Sequence, residues 1–192
     1  MKKILVGLLG IVLVNIVSAE KLQTSFESVV KQTSQANITC LSYKDGVNVV
    51  SKPNKDSNAG NQYFIIQNSC VIGKNKNIIK TPNQAYYYLG RVGKLLFFDV
   101  GTSTNGRKFY IYSLKSNEFV HSDQYVGELQ LNNKNFEYWK PNLTNQDFSS
   151  CSEYTQMKEN GLQAQLADYV VLNLKTFNYK IDNKVNKCFY TQ

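Results

Sequence analysis

Arginine, histidine, tryptophan, methionine and proline are all scarce in this chain. Of its 22 basic residues only Arg91 and Arg107 are arginines, and there is one histidine, one tryptophan, two methionines and three prolines. Proteins that read nucleic acid lean on arginine for two-pronged contacts to guanine and phosphate, so nucleic acid is excluded as the main partner. A single histidine, with no CxxC or HxxxH spacing, excludes a conventional zinc centre, and no metal is expected. There is no G-x-S-x-G elbow and no glycine- and lysine-patterned phosphate loop, so no cofactor is expected either.

Long apolar runs are also missing, with one exception at the start. Met1-Lys2-Lys3 precedes an apolar stretch from Ile4 to Val17, followed by Ser18-Ala19 and the charged pair Glu20-Lys21. A basic start, an apolar stretch of about 14 residues and small residues at the −3 and −1 positions form a secretory signal pattern, with cleavage expected after Ala19. The run is short against the roughly 20 residues needed to span a bilayer. Residues 1–19 are therefore read as a signal peptide and 20–192 as a single, mostly β domain, periplasmic or secreted, with no stable membrane insertion after cleavage.

Four cysteines, Cys40, Cys70, Cys151 and Cys188, fall in the expected mature part. An even count in an exported chain favours disulfides. Pairing sequence neighbours gives Cys40–Cys70 and Cys151–Cys188, each worth about 3–4 kcal/mol in the loop-entropy model. Loss of Lys2 and Lys3 lowers the formal net charge from +8 to +6. The excess is lysine rather than arginine, and it suits weak attraction to anionic envelope polymers at most. It counts against an inhibitor of a basic enzyme such as lysozyme.

Residues 21–35 place Leu22, Phe26, Val29 and Val30 on one helical face, which predicts a short amphipathic helix. From Ile38 onward the texture is short Val-, Ile-, Tyr- and Phe-rich runs divided by turn residues such as Asp45-Gly46 and Asn105-Gly106. Candidate strands are 38–43, 47–51, 63–67, 70–73, 85–89, 94–100, 108–114, 118–121, 128–131, 136–139, 169–174 and 177–181. Lys52–Asn61 reads as a loop. A second helix is expected over Ser152–Glu159, stopped by Asn160-Gly161. The expected fold class is mainly β: an antiparallel sandwich or barrel-like sheet with one or two short helices. A faint echo links 109–116 to 169–176, each a strand running into a turn at a lysine; it is read as shared hairpin chemistry, not as a repeat.

No residue is assigned a catalytic role. His121 is expected to be a solvent-facing turn residue and to be dispensable, and pairs such as Glu128 and Glu137 are not distinguished from accidental ones. What remains is a concentration of aromatics between Tyr86 and Trp139, beside a hydroxyl-rich loop, Gly101–Arg107, and both arginines. Arginine, tyrosine and tryptophan are enriched at interface hot spots. The expected ligand-binding residues are Arg91, Arg107, Tyr110, Tyr112 and Trp139. The expected function is non-enzymatic binding of a protein or of a glycan or anionic envelope ligand. The alternatives are a secreted hydrolase using His121 or a carboxylate pair, and a secreted inhibitor or effector.

Overall fold

The computed structural model describes residues 26–54, 59–73, 77–79, 85–101, 106–132, 134–144 and 147–191. The expected signal peptide, residues 21–25 of the expected helix with Leu22, and residues 102–105 of the Gly101–Arg107 loop lie outside the described residues. The chain is mainly β and antiparallel throughout. Strands β1 (Lys31–Gln35), β2 (Ile38–Ser42), β3 (Val47–Pro53), β4 (Asn61–Gln67) and β5 (Asn77–Ile79) pair in sequence order as a five-stranded meander. A seven-stranded meander follows: β6 (Tyr86–Val92), β7 (Leu95–Val100), β8 (Arg107–Ser113), β9 (Glu118–Asn132), β10 (Asn135–Pro141), β11 (Gln163–Asn173) and β12 (Tyr179–Thr191). A 3-10 turn, Phe148–Ser150, and one short helix, α1 (Tyr154–Glu159), interrupt it between β10 and β11.

The second meander does not stay flat. The first half of β9 pairs with β8 through Glu118–Tyr125, and its second half pairs with β10 from Val126 on. Gly127 sits at the changeover with φ +70°, a backbone state that glycine reaches without a Cβ penalty. β7 and β10 are three strand spacings apart, about 14 Å in a flat sheet. Yet Phe97 and Phe136 bring their ring centroids to 5.1 Å, and Phe109 and Tyr138 to 4.8 Å. The sheet therefore folds over at β9, and the molecule is a stack of three layers: β1–β5, then β6–β8 with the start of β9, then the rest of β9 with β10–β12.

Strand periodicity fills both interlayer spaces. Leu96, Phe98, Val100, Tyr86 and Tyr112 face the first layer and meet Tyr43, Val49, Tyr63 and Ile79. Phe97, Phe109 and Ile111, one residue out of phase, face the third layer and meet Leu129, Leu131, Phe136, Tyr138, Val170 and Leu172. This explains the consecutive aromatics of the middle third: the central layer is buried on both sides, so Phe97-Phe98 serves two cores. On the far side of the first layer Cys40, Val50 and Phe64 make a small third cluster with Cys70 and Ile72.

Both disulfides form as the spacing predicts, Cys40–Cys70 and Cys151–Cys188, each with Cα atoms 5.8 Å apart. Four local expectations are corrected. Residues 31–35 are strand β1, not helix, because the two-residue turn Ala36-Asn37, at φ 46° and 66°, folds them back on β2. Phe26, placed on the expected helical face, instead inserts its ring between Gly90 and Phe97. Residues 70–73 are not a strand; the cysteine bond holds them as irregular chain. The runs 118–121 and 128–131 are two parts of one 15-residue strand.

The echo between 109–116 and 169–176 is hairpin chemistry. Ser113 Oγ accepts from the amides of Lys115 and Ser116, and Asn173 Oδ1 accepts from those of Lys175 and Thr176. Each turn closes on a positive-φ residue, Asn117 or Phe177, whose amide donates to the carbonyl of Ser113 or Asn173 at 2.8 Å.

Candidate binding surface

The five expected ligand residues do not come together. Arg91 is buried between the first two layers. Its guanidinium donates to both oxygens of Asp45 at 2.7 and 2.6 Å and to the Gly93 carbonyl, and it stacks 5.0 Å from the centre of Tyr43. Arg107 donates to the carboxylate of Asp99, which also accepts from Tyr125 Oη at 2.7 Å. Tyr112 is buried, and Tyr110 is half-buried between Tyr86 and Phe119. Arg91 and Tyr112 join the first two layers, while Arg107 and Tyr110 make their contacts within the second. Trp139 alone lies elsewhere, on the outward side of the third layer.

His121 is also displaced from its expected setting. It lies within β9, not in a turn, and its ring faces inward between Phe109 and Phe177. Its Nε2 is buried without a hydrogen-bond partner. Burial, helped by nearby Lys140 and opposed by Asp123, holds its pKa below the usual imidazole value, so it is neutral at pH 7. A catalytic histidine needs a carboxylate to orient it. The neighbouring candidate, Asp123, spends its oxygens on Tyr138 Oη (2.6 Å), Lys140 Nζ (2.9 Å) and its following amide. Among the described residues no cluster suits a metal ion.

The outward face of the third layer is different. β10 and β11 align Trp139 with Tyr169 and Glu137 with Val171, so all four share one side. On β12, Cys188 turns inward to its disulfide, and period-two geometry sends its neighbours Lys187 and Phe189 outward. Trp139 is the middle ring of three. Tyr169 lies 5.1 Å from it at 58°, and Phe189 lies 6.2 Å from it at 60°. All three rings are half-buried. The ring of Phe189 rests on Gly127, where a Cβ would come within 2.7 Å of it. Tyr169 Oη donates to Glu137 Oε2 at 2.5 Å. Burial first, then that bond, pushes the Tyr169 phenol up to about 12, so it keeps its proton. The ammonium of Lys187 stands 5.6 Å from the centre of Trp139 and 5.3 Å from that of Phe189.

This is a cradle with tilted walls, not a flat platform. A rival site is a groove of about 270 Å³ between the first two layers, walled by Tyr63, Tyr87 and Tyr88. Its phenols are largely used internally: Tyr63 Oη donates to the Tyr86 carbonyl and accepts from the Tyr88 amide, and Tyr88 Oη bonds Tyr43 Oη. Among the described residues, the cation recorded over the cradle's rings is the end of a lysine side chain, Lys187. Tyr169, Lys187 and Phe189 were not singled out from sequence. The alternation around Cys188 is the signal that would have found two of them. No family model, curated protein sequence or solved structure matches the chain.

Proposed function

We propose that the protein is an exported, non-enzymatic binding domain whose ligand seat is the Trp139–Tyr169–Phe189 cradle. The observation that carries this reading is the outward placement of three half-buried rings on one sheet face, with a cation already drawn to two of them. Tryptophan and tyrosine offer large contact area at low entropic cost and dominate binding hot spots. The secretory pattern of residues 1–19 supports export, and two disulfides fit an oxidising compartment. Among the described residues no helix is long and apolar enough to cross a membrane.

Co-sedimentation of the oxidised protein with cell envelopes and with lipid vesicles tests the reading. Trp139→Ala with Phe189→Leu is expected to reduce binding at least tenfold while the protein stays folded by urea denaturation. Equal binding by wild type and variant would remove the cradle as the ligand seat. Should that double variant fail to fold, Tyr169→Ala provides the same comparison. Recovery of exported protein with Met1 still attached would remove the signal cleavage.

A further inference from the structure

We infer that the cradle takes a quaternary ammonium group, the cationic end of a choline-type headgroup. This rests on the reading of the cradle as the ligand seat and adds the chemistry of what sits there. Three features of the geometry point to a cation. First, aromatic faces carry the negative side of the ring quadrupole and attract cations within about 6 Å of their centres. Lys187 Nζ satisfies that limit for Trp139 and Phe189 together, at 5.6 and 5.3 Å. Second, both flanking rings are tilted by about 60° from Trp139. One flat sugar ring cannot lie against the faces of both Trp139 and Phe189 at that angle, whereas a compact, near-spherical cation meets both, as Lys187 Nζ does. Third, the rim carries negative charge: Glu137 is held in place by the Tyr169 phenol, which stays protonated to donate to it.

Among the described residues Lys187 has no carboxylate partner, so ring faces and not hydrogen bonds hold its ammonium. A methylated nitrogen has no N–H to donate, and it suits such a seat better than a lysine does. It is also less strongly hydrated, so leaving water costs it less. Lys187 is exposed at an edge strand and carries its charge on a flexible stem. It acts as an internal occupant that a ligand displaces by letting it swing into solvent.

Trp139 is the single tryptophan of the chain, so its emission reports on this site alone. The test titrates the oxidised protein with choline chloride and with tetramethylammonium chloride, using sodium chloride at matched ionic strength as the control. 3,3-Dimethyl-1-butanol serves as the uncharged isostere. A saturable change with both cations, absent with the isostere, is expected. Phe189→Leu or Tyr169→Ala should weaken choline binding about tenfold. Lys187→Gln should tighten it about two- to fivefold, the equivalent of one exposed cation–ring contact no longer competing.

Phosphatidylcholine vesicles against phosphatidylglycerol vesicles separate the possible sources. Binding to the first set alone assigns a membrane headgroup, while binding of free choline without vesicle binding assigns a soluble or polymer-borne group. An unmoved Trp139 signal with choline, an equal response to the isostere, or weaker binding by Lys187→Gln would overturn the inference. If envelope co-sedimentation still depends on Trp139 while choline has no effect, the ligand class falls and the cradle stands. If neither depends on Trp139, both fall.

Discussion

The clamp between Asp45 and Arg91 gives a sharp test of how the layers are joined. Asp45 sits in the β2–β3 turn of the first layer and Arg91 on β6 of the second. The two partners differ in exposure, 4% for the Arg91 side chain against 39% for Asp45. Removing the acid strands a buried guanidinium, left with Glu27 at 3.4 Å, the Gly93 carbonyl and the face of Tyr43 to meet it. Removing the arginine frees a carboxylate that water can reach. Breaking a fully buried pair costs about 3–5 kcal/mol, and solvent access to Asp45 reduces that, so Asp45→Asn should cost about 2–3 kcal/mol. Arg91→Met keeps an apolar stem against Tyr43 and should cost only about 1 kcal/mol. The double variant should cost little more than Arg91→Met, giving a coupling of about 2 kcal/mol in a mutant cycle.

Urea denaturation with both disulfides intact measures each corner of this cycle. The pH dependence adds a second arm. The hydrogen bonds from Arg91, partly offset by burial, hold the Asp45 carboxyl well below the usual carboxylate range. A lowered native pKa stabilises the fold above the unfolded pKa, and that contribution is lost as pH falls toward the native value. The gap between wild type and Asp45→Asn should therefore narrow progressively below about pH 4. Additivity within about 0.5 kcal/mol, or Arg91→Met proving the more damaging change, would refute the clamp.

Three further outcomes are expected. Phe109→Ala, which empties the buried point where Phe136, Tyr138 and Tyr125 meet, should cost about 3–5 kcal/mol by chemical denaturation. For His121 the lowered native pKa means stability is full above about pH 6.5 and declines as pH falls below it; His121→Leu should flatten that decline in melting curves taken between pH 5 and 7. Gly127→Ala meets both a positive φ and the Phe189 ring, so it should destabilise by more than about 1 kcal/mol and shift the emission of Trp139.

The sequence was most informative where period and turn chemistry coincide. Val47–Ser51 and Lys108–Leu114 read as strands and are strands, because branched and aromatic side chains there fill a pleated, half-buried surface. The cysteine pairing followed sequence order because each bridge closes within one run of the meander, Cys40 on β2 to the chain just after β4 and Cys151 before α1 to Cys188 on β12. Other expectations gave way to tertiary contacts. The 3.6-residue face predicts a helix over 21–35, but Phe26 is drawn into the core against Phe97, Val29 and Val30 lie in irregular chain, and residues 31–35 pair with β2 instead. Likewise the ligand assignment weighted residue type over burial. Arg91 and Tyr112 have hot-spot chemistry, but the fold spends them on its interlayer contacts. Burial on both faces of the central layer cannot be seen from a run of aromatics, since the same run would suit one exposed face.

The two ends of the three-layer stack are finished differently, and this asymmetry is what favours the third layer as the proposed ligand seat. Beyond the first layer, the outward apolar residues Val50 and Phe64 are sealed by the Cys40–Cys70 bridge and Ile72, and Phe64 is fully buried. Beyond the third layer, no comparable cover lies over Trp139 among the described residues, and its upper neighbour is the end of a lysine side chain. The second disulfide works from the opposite side of the sheet. By fixing Cys188 inward against the segment that precedes α1, it forces Lys187 and Phe189, one residue to either side, to face outward over Trp139. A bond that stabilises the fold thus also sets the register of the cradle. The same alternation that gives the central layer two cores gives β12 one face for its cysteine and one for the proposed cradle.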